Sequence, residues 1–85
     1  MTFLAHINIM PKAELLDPQG KVVVKNMPNV GVEGVNDVRI GKHVTIRLEA
    51  ENENAAHDKV ELACRKLLAN VIMEDYDFVV EEVDA

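Results

Sequence analysis

The stretch Val35-Asn36-Asp37-Val38-Arg39-Ile40-Gly41-Lys42-His43-Val44-Thr45-Ile46-Arg47-Leu48-Glu49-Ala50 decides how the chain is read. Val38 and Ile40 alternate with Asp37 and Arg39. Beyond Gly41-Lys42, Val44, Ile46, Leu48 and Ala50 alternate with His43, Thr45, Arg47 and Glu49. A period of two sends one side of a strand into a core and the other into water. Two such runs joined by a pair that begins in glycine predict a β-hairpin, compatible with a type II′ turn. The sheet it belongs to is then covered on one face only.

Working outward, Phe3, Ala5, Ile7 and Ile9 alternate with Leu4, His6, Asn8 and Met10, which predicts a first strand that Pro11 ends. Leu15-Leu16-Asp17-Pro18-Gln19-Gly20 follows. Asp17 before Pro18 is a helix start, because the carboxylate caps free N–H groups and the proline sits where its missing N–H costs nothing. Helix and strand then compete over residues 21–27. Val22-Val23-Val24 favours a strand by propensity, and Pro28 kinks or ends any helix that reaches it.

Downstream, Asn52 predicts an N-cap. Ala56, Val60, Ala63, Cys64, Leu67 and Leu68 recur at helical spacing, with Glu51 and Glu53 near the start and Arg65 and Lys66 near the end, as the helix dipole favours. Asn70 is read as a left-handed C-cap. Tyr76, Phe78 and Val80 alternate with Asp77, Val79 and Glu81 as a last strand, and the tail is expected to fray from about residue 83. With residues 21–27 helical, the order is βαββαβ. The expected fold is α+β: a four-stranded antiparallel sheet with two helices on one face, ferredoxin-like, in one domain spanning 1–85.

Folding buries only about 60 % of the surface of a chain this short, and association is a common remedy. Cys64 is the only cysteine, so no internal disulfide and no four-thiolate zinc site is available, and a lone thiol suits a reducing cytoplasm. Fifteen acidic residues against nine basic ones give a net charge of −6, which repels phosphate backbones and anionic lipid. The aromatics Phe3, Tyr76 and Phe78 do not interleave with basic residues as a base-stacking surface would. Neither nucleic acid nor a membrane is an expected partner, since no apolar run approaches the roughly 20 residues that span a bilayer. The N-terminus lacks a signal-peptide pattern.

The search for chemistry returns no catalytic, cofactor-binding or metal-binding set. Gly31 and Gly34 are not followed by the Gly-Lys-Ser/Thr ending of a phosphate loop. His6, His43, His57 and Cys64 are ligand types without ligand spacing. Cys64 falls on the apolar face of its helix, where burial raises a thiol's pKa and hides it. Glu74, Asp75 and Asp77 read as solvated acids, with nothing to bury and tune them. Leu62 lies off the apolar stripe of its helix, and Leu4, Met10 and Val79 lie on the outer side of their strands. Together they predict a patch that self-association covers.

Three stretches, taken together, resemble the PurS family. They are Leu16-Asp17-Pro18-Gln19-Gly20-Lys21, then Asp37-Val38-Arg39-Ile40-Gly41-Lys42, then Cys64-Arg65-Lys66-Leu67-Leu68-Ala69-Asn70 with Glu74-Asp75-Tyr76. Each is weak alone; their order and spacing are fairly specific and cover nearly the whole chain. The chain departs from the family at Val22-Val23-Val24, where a polar-and-alanine helix is usual, and at Val71, where the family often has proline. The resemblance turns residues 21–27 toward helix, bent or shortened at Pro28.

That resemblance implies a non-catalytic subunit of phosphoribosylformylglycinamidine (FGAM) synthase, the ATP-dependent, glutamine-hydrolysing ligase of purine biosynthesis. The implied partners are a glutaminase subunit and a large synthetase subunit, with ATP and Mg in the latter and no cofactor on this chain. It also implies dimers or tetramers, and help in passing ammonia between the two active sites. Turns and helix starts are the natural contact points, because they are exposed and rigidly held. Asp17, Gln19, Gly20, Arg39, Gly41 and Lys42 are therefore the expected partner-interface residues. Two other classes compete: a small effector-binding regulatory module of ferredoxin-like type, and a stand-alone enzyme, for which no convergent acid, base or metal groups are found.

Overall fold

The computed structural model describes residues 1–84. Strand β1 (Thr2–Pro11) is central, flanked by β2 (Lys42–Glu49) and β3 (Glu74–Val83), and both pairings are antiparallel. Helix α1 (Pro18–Asn26) runs on into a 3-10 turn (Met27–Val30), and helix α2 (Glu53–Ala63) into a π turn (Cys64–Leu68).

The first strand is as its alternation predicts. Phe3, Ala5, Ile7 and Ile9 are buried beneath Ala56, Val60 and Cys64 of the α2 segment. Val44, Ile46 and Leu48 of β2 and Tyr76, Phe78 and Val80 of β3 complete that layer. The opposite face carries His6, Asn8, His43, Asp77 and Glu81. Asn8 Nδ2 donates to Asp77 Oδ1 (3.2 Å), and Asn8 Oδ1 lies 2.8 Å from His43 Nδ1. Val79 stands 66 % exposed on this side. No described element covers it.

The sheet has three strands, not four, and the expected hairpin is replaced by a strap over residues 32–41 that leads into β2. Local side-chain bonds outcompete the ladder here. The Ile40 N–H donates to Asp17 Oδ2 (2.8 Å), and the Arg39 guanidinium donates to the carbonyls of Leu15 (3.1 Å) and Lys12 (2.8 Å). These bonds hold residues 37–40 against the turn before α1 instead of beside β2. Gly31 and Gly34, at φ 88° and 83°, use a left-handed backbone as the chain turns back after α1.

Residues 21–26 are helical in spite of three valines. Asp17 caps the helix through Gly20 N–H (2.9 Å), with Pro18 in the first turn, and Pro28 marks the change to the tighter 3-10 turn. Within α1 only Gly20 is buried, so the helix adds little to the core. The molecule measures 50 × 29 × 14 Å, with a radius of gyration of 16.6 Å. A compact chain of this length has about 12 Å.

Two further expectations change at the end of α2. The Ala69 N–H bonds back five residues to Cys64 O (2.9 Å), which closes a π turn. The extra residue in that turn brings Leu68 and Ala69 to the core and turns Leu67 outward, 81 % exposed. Asn70 is not a left-handed cap: Ala69 caps in an extended conformation, and Asn70 Oδ1 accepts from Ile72 N–H (3.1 Å). Strand β3 stays paired through Val83, opposite Thr2.

Candidate partner-docking site

Five of the six residues singled out by sequence gather at the end of the sheet where β1 leaves, α1 starts and β2 begins. Asp17, Gln19, Gly41 and Lys42 line one groove of about 410 Å³, together with Pro11, Leu16, Pro18, Ile40 and Glu74. Gly20 sits just beneath, bonded to Asp17. Arg39 lies on the far side of the same turn, lining a second hollow of about 340 Å³ with Asp17, Lys21 and Asp37.

These residues divide by what they face. Asp17 is 7 % exposed, and its two carboxylate oxygens are used internally, one on Gly20 N–H and the other on Ile40 N–H. Those bonds, Gly20 first, hold its carboxyl below the ordinary carboxylate value, with the Arg39 guanidinium adding to them. Gly20 is buried because helix and strap touch there: any Cβ would run into the Val38 carbonyl oxygen. Gly41 has the same constraint against Met10 and the Ile9 carbonyl at the start of β2. Asp17 and Gly20 thus build the groove from beneath and Arg39 ties the turn from its far side, while Gln19, Gly41 and Lys42 reach solvent.

Glu74 is the member that sequence reasoning read only as a solvated acid. Its Oε1 accepts from Asn70 N–H (2.8 Å), and its Oε2 lies 3.6 Å from Lys42 Nζ. No spacing rule ties position 74 to positions 17 and 42; only the β1–β3 register brings it there.

The groove offers charged and amide groups on a fixed backbone. Its one close charged pair is Lys42 with Glu74, which reads as an ion pair at the rim. Cys64, at the end of α2, is fully buried against the sheet, and burial pushes its thiol up. The Tyr76 hydroxyl donates to Glu61 Oε1 (2.7 Å), and that bond raises the phenol's pKa. Among the described residues no group of three or more His, Cys, Asp or Glu is placed to hold a metal ion.

Comparison with known proteins gives a consistent picture. Residues 4–82 match the family model PurS: Phosphoribosylformylglycinamidine (FGAM) synthase. The chain is 40 % identical over 74 residues to the Bacillus subtilis protein named phosphoribosylformylglycinamidine synthase subunit PurS, covering 87 % of each. It is 32 % identical over 83 residues to the Synechocystis protein of that name, covering 98 % of this chain and 83 % of the relative. Among solved structures, Thermus thermophilus PurS superposes with a TM-score of 0.86 at 35 % identity, covering 99 % of this chain and 100 % of the other. A chain of the PurLQS structure from Thermotoga maritima gives 0.88 at 27 % identity, covering 95 % of this chain and 99 % of the other.

Proposed function

The chain belongs to the PurS family of phosphoribosylformylglycinamidine synthase, and from that premise we propose that it is the small bridging subunit of this complex in purine biosynthesis. It does no chemistry itself. It holds a glutaminase subunit and a large ATP- and Mg-using synthetase subunit in one relative placement, so that ammonia released at one site reaches the other. The observation that carries this reading is the near-complete superposition on a chain of the Thermotoga maritima PurLQS structure.

The physical work of such a bridge is done by geometry. Ammonia that leaves one active site is diluted into water unless the second site is held close, and docking both partners on one scaffold raises the local concentration of acceptor. A three-stranded sheet with an antiparallel partner on each side of β1 is a stiff platform for that. The reading places the protein in the cytoplasm, and no helix among the described residues is long and apolar enough to cross a membrane.

Self-association to a dimer or tetramer belongs to the same proposal. The radius of gyration exceeds the compact value by roughly 5 Å. Leu67 and Ile72 (both 81 % exposed) and Val30 (74 %) leave apolar surface that a small core does not absorb.

The exposed members of the groove are the proposed partner contacts: Gln19, Gly41 and Lys42, set in place by Asp17, Gly20 and Arg39. Lys42→Glu puts a carboxylate beside Glu74 without touching the core. Titration calorimetry of the variant against the glutaminase and synthetase subunits is expected to show affinity at least about tenfold weaker, with the melting temperature lowered only slightly by the lost Lys42–Glu74 contact. Equal affinity would remove the groove from the interface.

A further inference from the structure

We infer that the free edge of β3 is a docking edge for an extended, cationic segment of one of the two partner subunits, an inference that rests on the bridging role proposed above. The starting point is which backbone groups face outward. Ala50 N–H donates to Met1 O and Lys12 N–H donates to Met73 O, both at 3.0 Å. With the register of the two ladders, these bonds turn the odd-numbered residues of β1 toward β2 and the even-numbered ones toward β3. The partners of the even residues, Asp75, Asp77, Val79, Glu81 and Val83, therefore bond inward to β1. The N–H and C=O groups of Tyr76, Phe78, Val80 and Glu82 point outward, away from the sheet. Glu74 N–H also points outward and is taken by Asn70 O (2.7 Å). No described residue pairs with the four that follow it.

A run of unpaired strand edge is a template for an added strand. The charge of β3 selects what is added. Five carboxylates lie along Glu74–Val83, of which Lys12 meets Asp75 (2.8 Å) and Lys42 approaches Glu74 (3.6 Å). Asp77 bonds only the Asn8 amide, Glu81 meets only the His6 ring, and Glu82 has no cationic partner within salt-bridge distance among the described residues. Two β3 edges from two copies would bring these acids together and repel. Pairing β3 with the β2 edge of another copy would be head-to-tail, leaving the opposite edges open to propagate without closing. A segment with Lys or Arg on alternate residues fits both the ladder and the charge, main-chain bonds giving affinity and side chains giving choice.

The test is hydrogen exchange of the isotopically labelled full chain, alone and in the assembled complex with the glutaminase and synthetase subunits. The expected result is alternation. The amides of Asp77, Val79 and Glu81 are slow in the free chain, and those of Phe78, Val80 and Glu82 become slow, by about 100-fold or more, only in the complex. Glu81→Lys/Glu82→Lys is expected to weaken assembly at least about tenfold while the inward amides stay protected. The inference is overturned if the complex forms and the outward amides remain fast. It is overturned too if they slow in the free chain as its concentration rises, which would give the edge to a second copy. If the chain does not join the assembly at all, the bridging role itself fails, and this inference with it.

Discussion

Replacing Gly20 by alanine destabilises the chain, against the ordinary rule for a helix. Within a helix, alanine is better than glycine by about 0.8–1.0 kcal/mol. Here the added Cβ points straight at the backbone carbonyl of Val38, with Asp17 Oδ2 3.1 Å away. A side chain can rotate aside, but a backbone carbonyl moves only if the strap moves. Overpacking of this kind costs about 1–3 kcal/mol, which outweighs the helix gain over most of that range. The strap is held at this point by Ile40 N–H on Asp17 and by Arg39 on the Leu15 and Lys12 carbonyls, so the damage spreads to the groove. A thermal melt is expected to show a lower midpoint for Gly20→Ala than for the parent, while Lys21→Ala on the solvent side of the same turn stays near the parent. A Gly20→Ala chain melting at or above the parent would mean that helix and strap are not in contact.

Truncation of Ile7 has the larger expected effect. Ile7 is fully buried at the centre of β1, between Val44 and Phe78 and beneath the apolar face of α2. An isoleucine or leucine cut to alanine in such a site costs about 2–5 kcal/mol, the spread reflecting how far the surroundings close in. A domain of this size has little reserve. At about 4–8 °C per kcal/mol, the melting midpoint falls by at least about 8 °C. Val79→Ala, one residue along the neighbouring strand but 66 % exposed, serves as the contrast and is expected to change the midpoint little. Similar losses at the two positions would contradict the placement of the core on the α2 side of the sheet.

The strands and helix starts were legible because their signals are local. The alternation in Phe3–Ile9 follows from burial on one side, and Asp17-Pro18 and Asn52 act through bonds to N–H groups three residues ahead. Val35–Ile40 misled for a physical reason. Its alternation is compatible with a strand, but the Asp17 carboxylate and the carbonyls of Leu15 and Lys12 capture it, and they lie more than twenty residues earlier in sequence. Leu67 misled because a single π turn shifts the register of the stripe by one residue, and nothing in Cys64-Arg65-Lys66-Leu67-Leu68 marks such a turn. The candidate site was half legible. Asp17, Gln19, Gly41 and Lys42 do meet around one groove. What the sequence did not reveal is that Asp17, Gly20 and Arg39 face inward as its frame and that Glu74 completes it.

Reconstitution tests the central claim most directly. The chain is mixed with the glutaminase and large synthetase subunits from the same organism, with glutamine and ATP-Mg present. Size-exclusion chromatography and product formation are then followed together. The bridging account predicts that all three co-elute and that glutamine-dependent turnover needs this chain. Separate elution, with turnover equally fast in its absence, would contradict it.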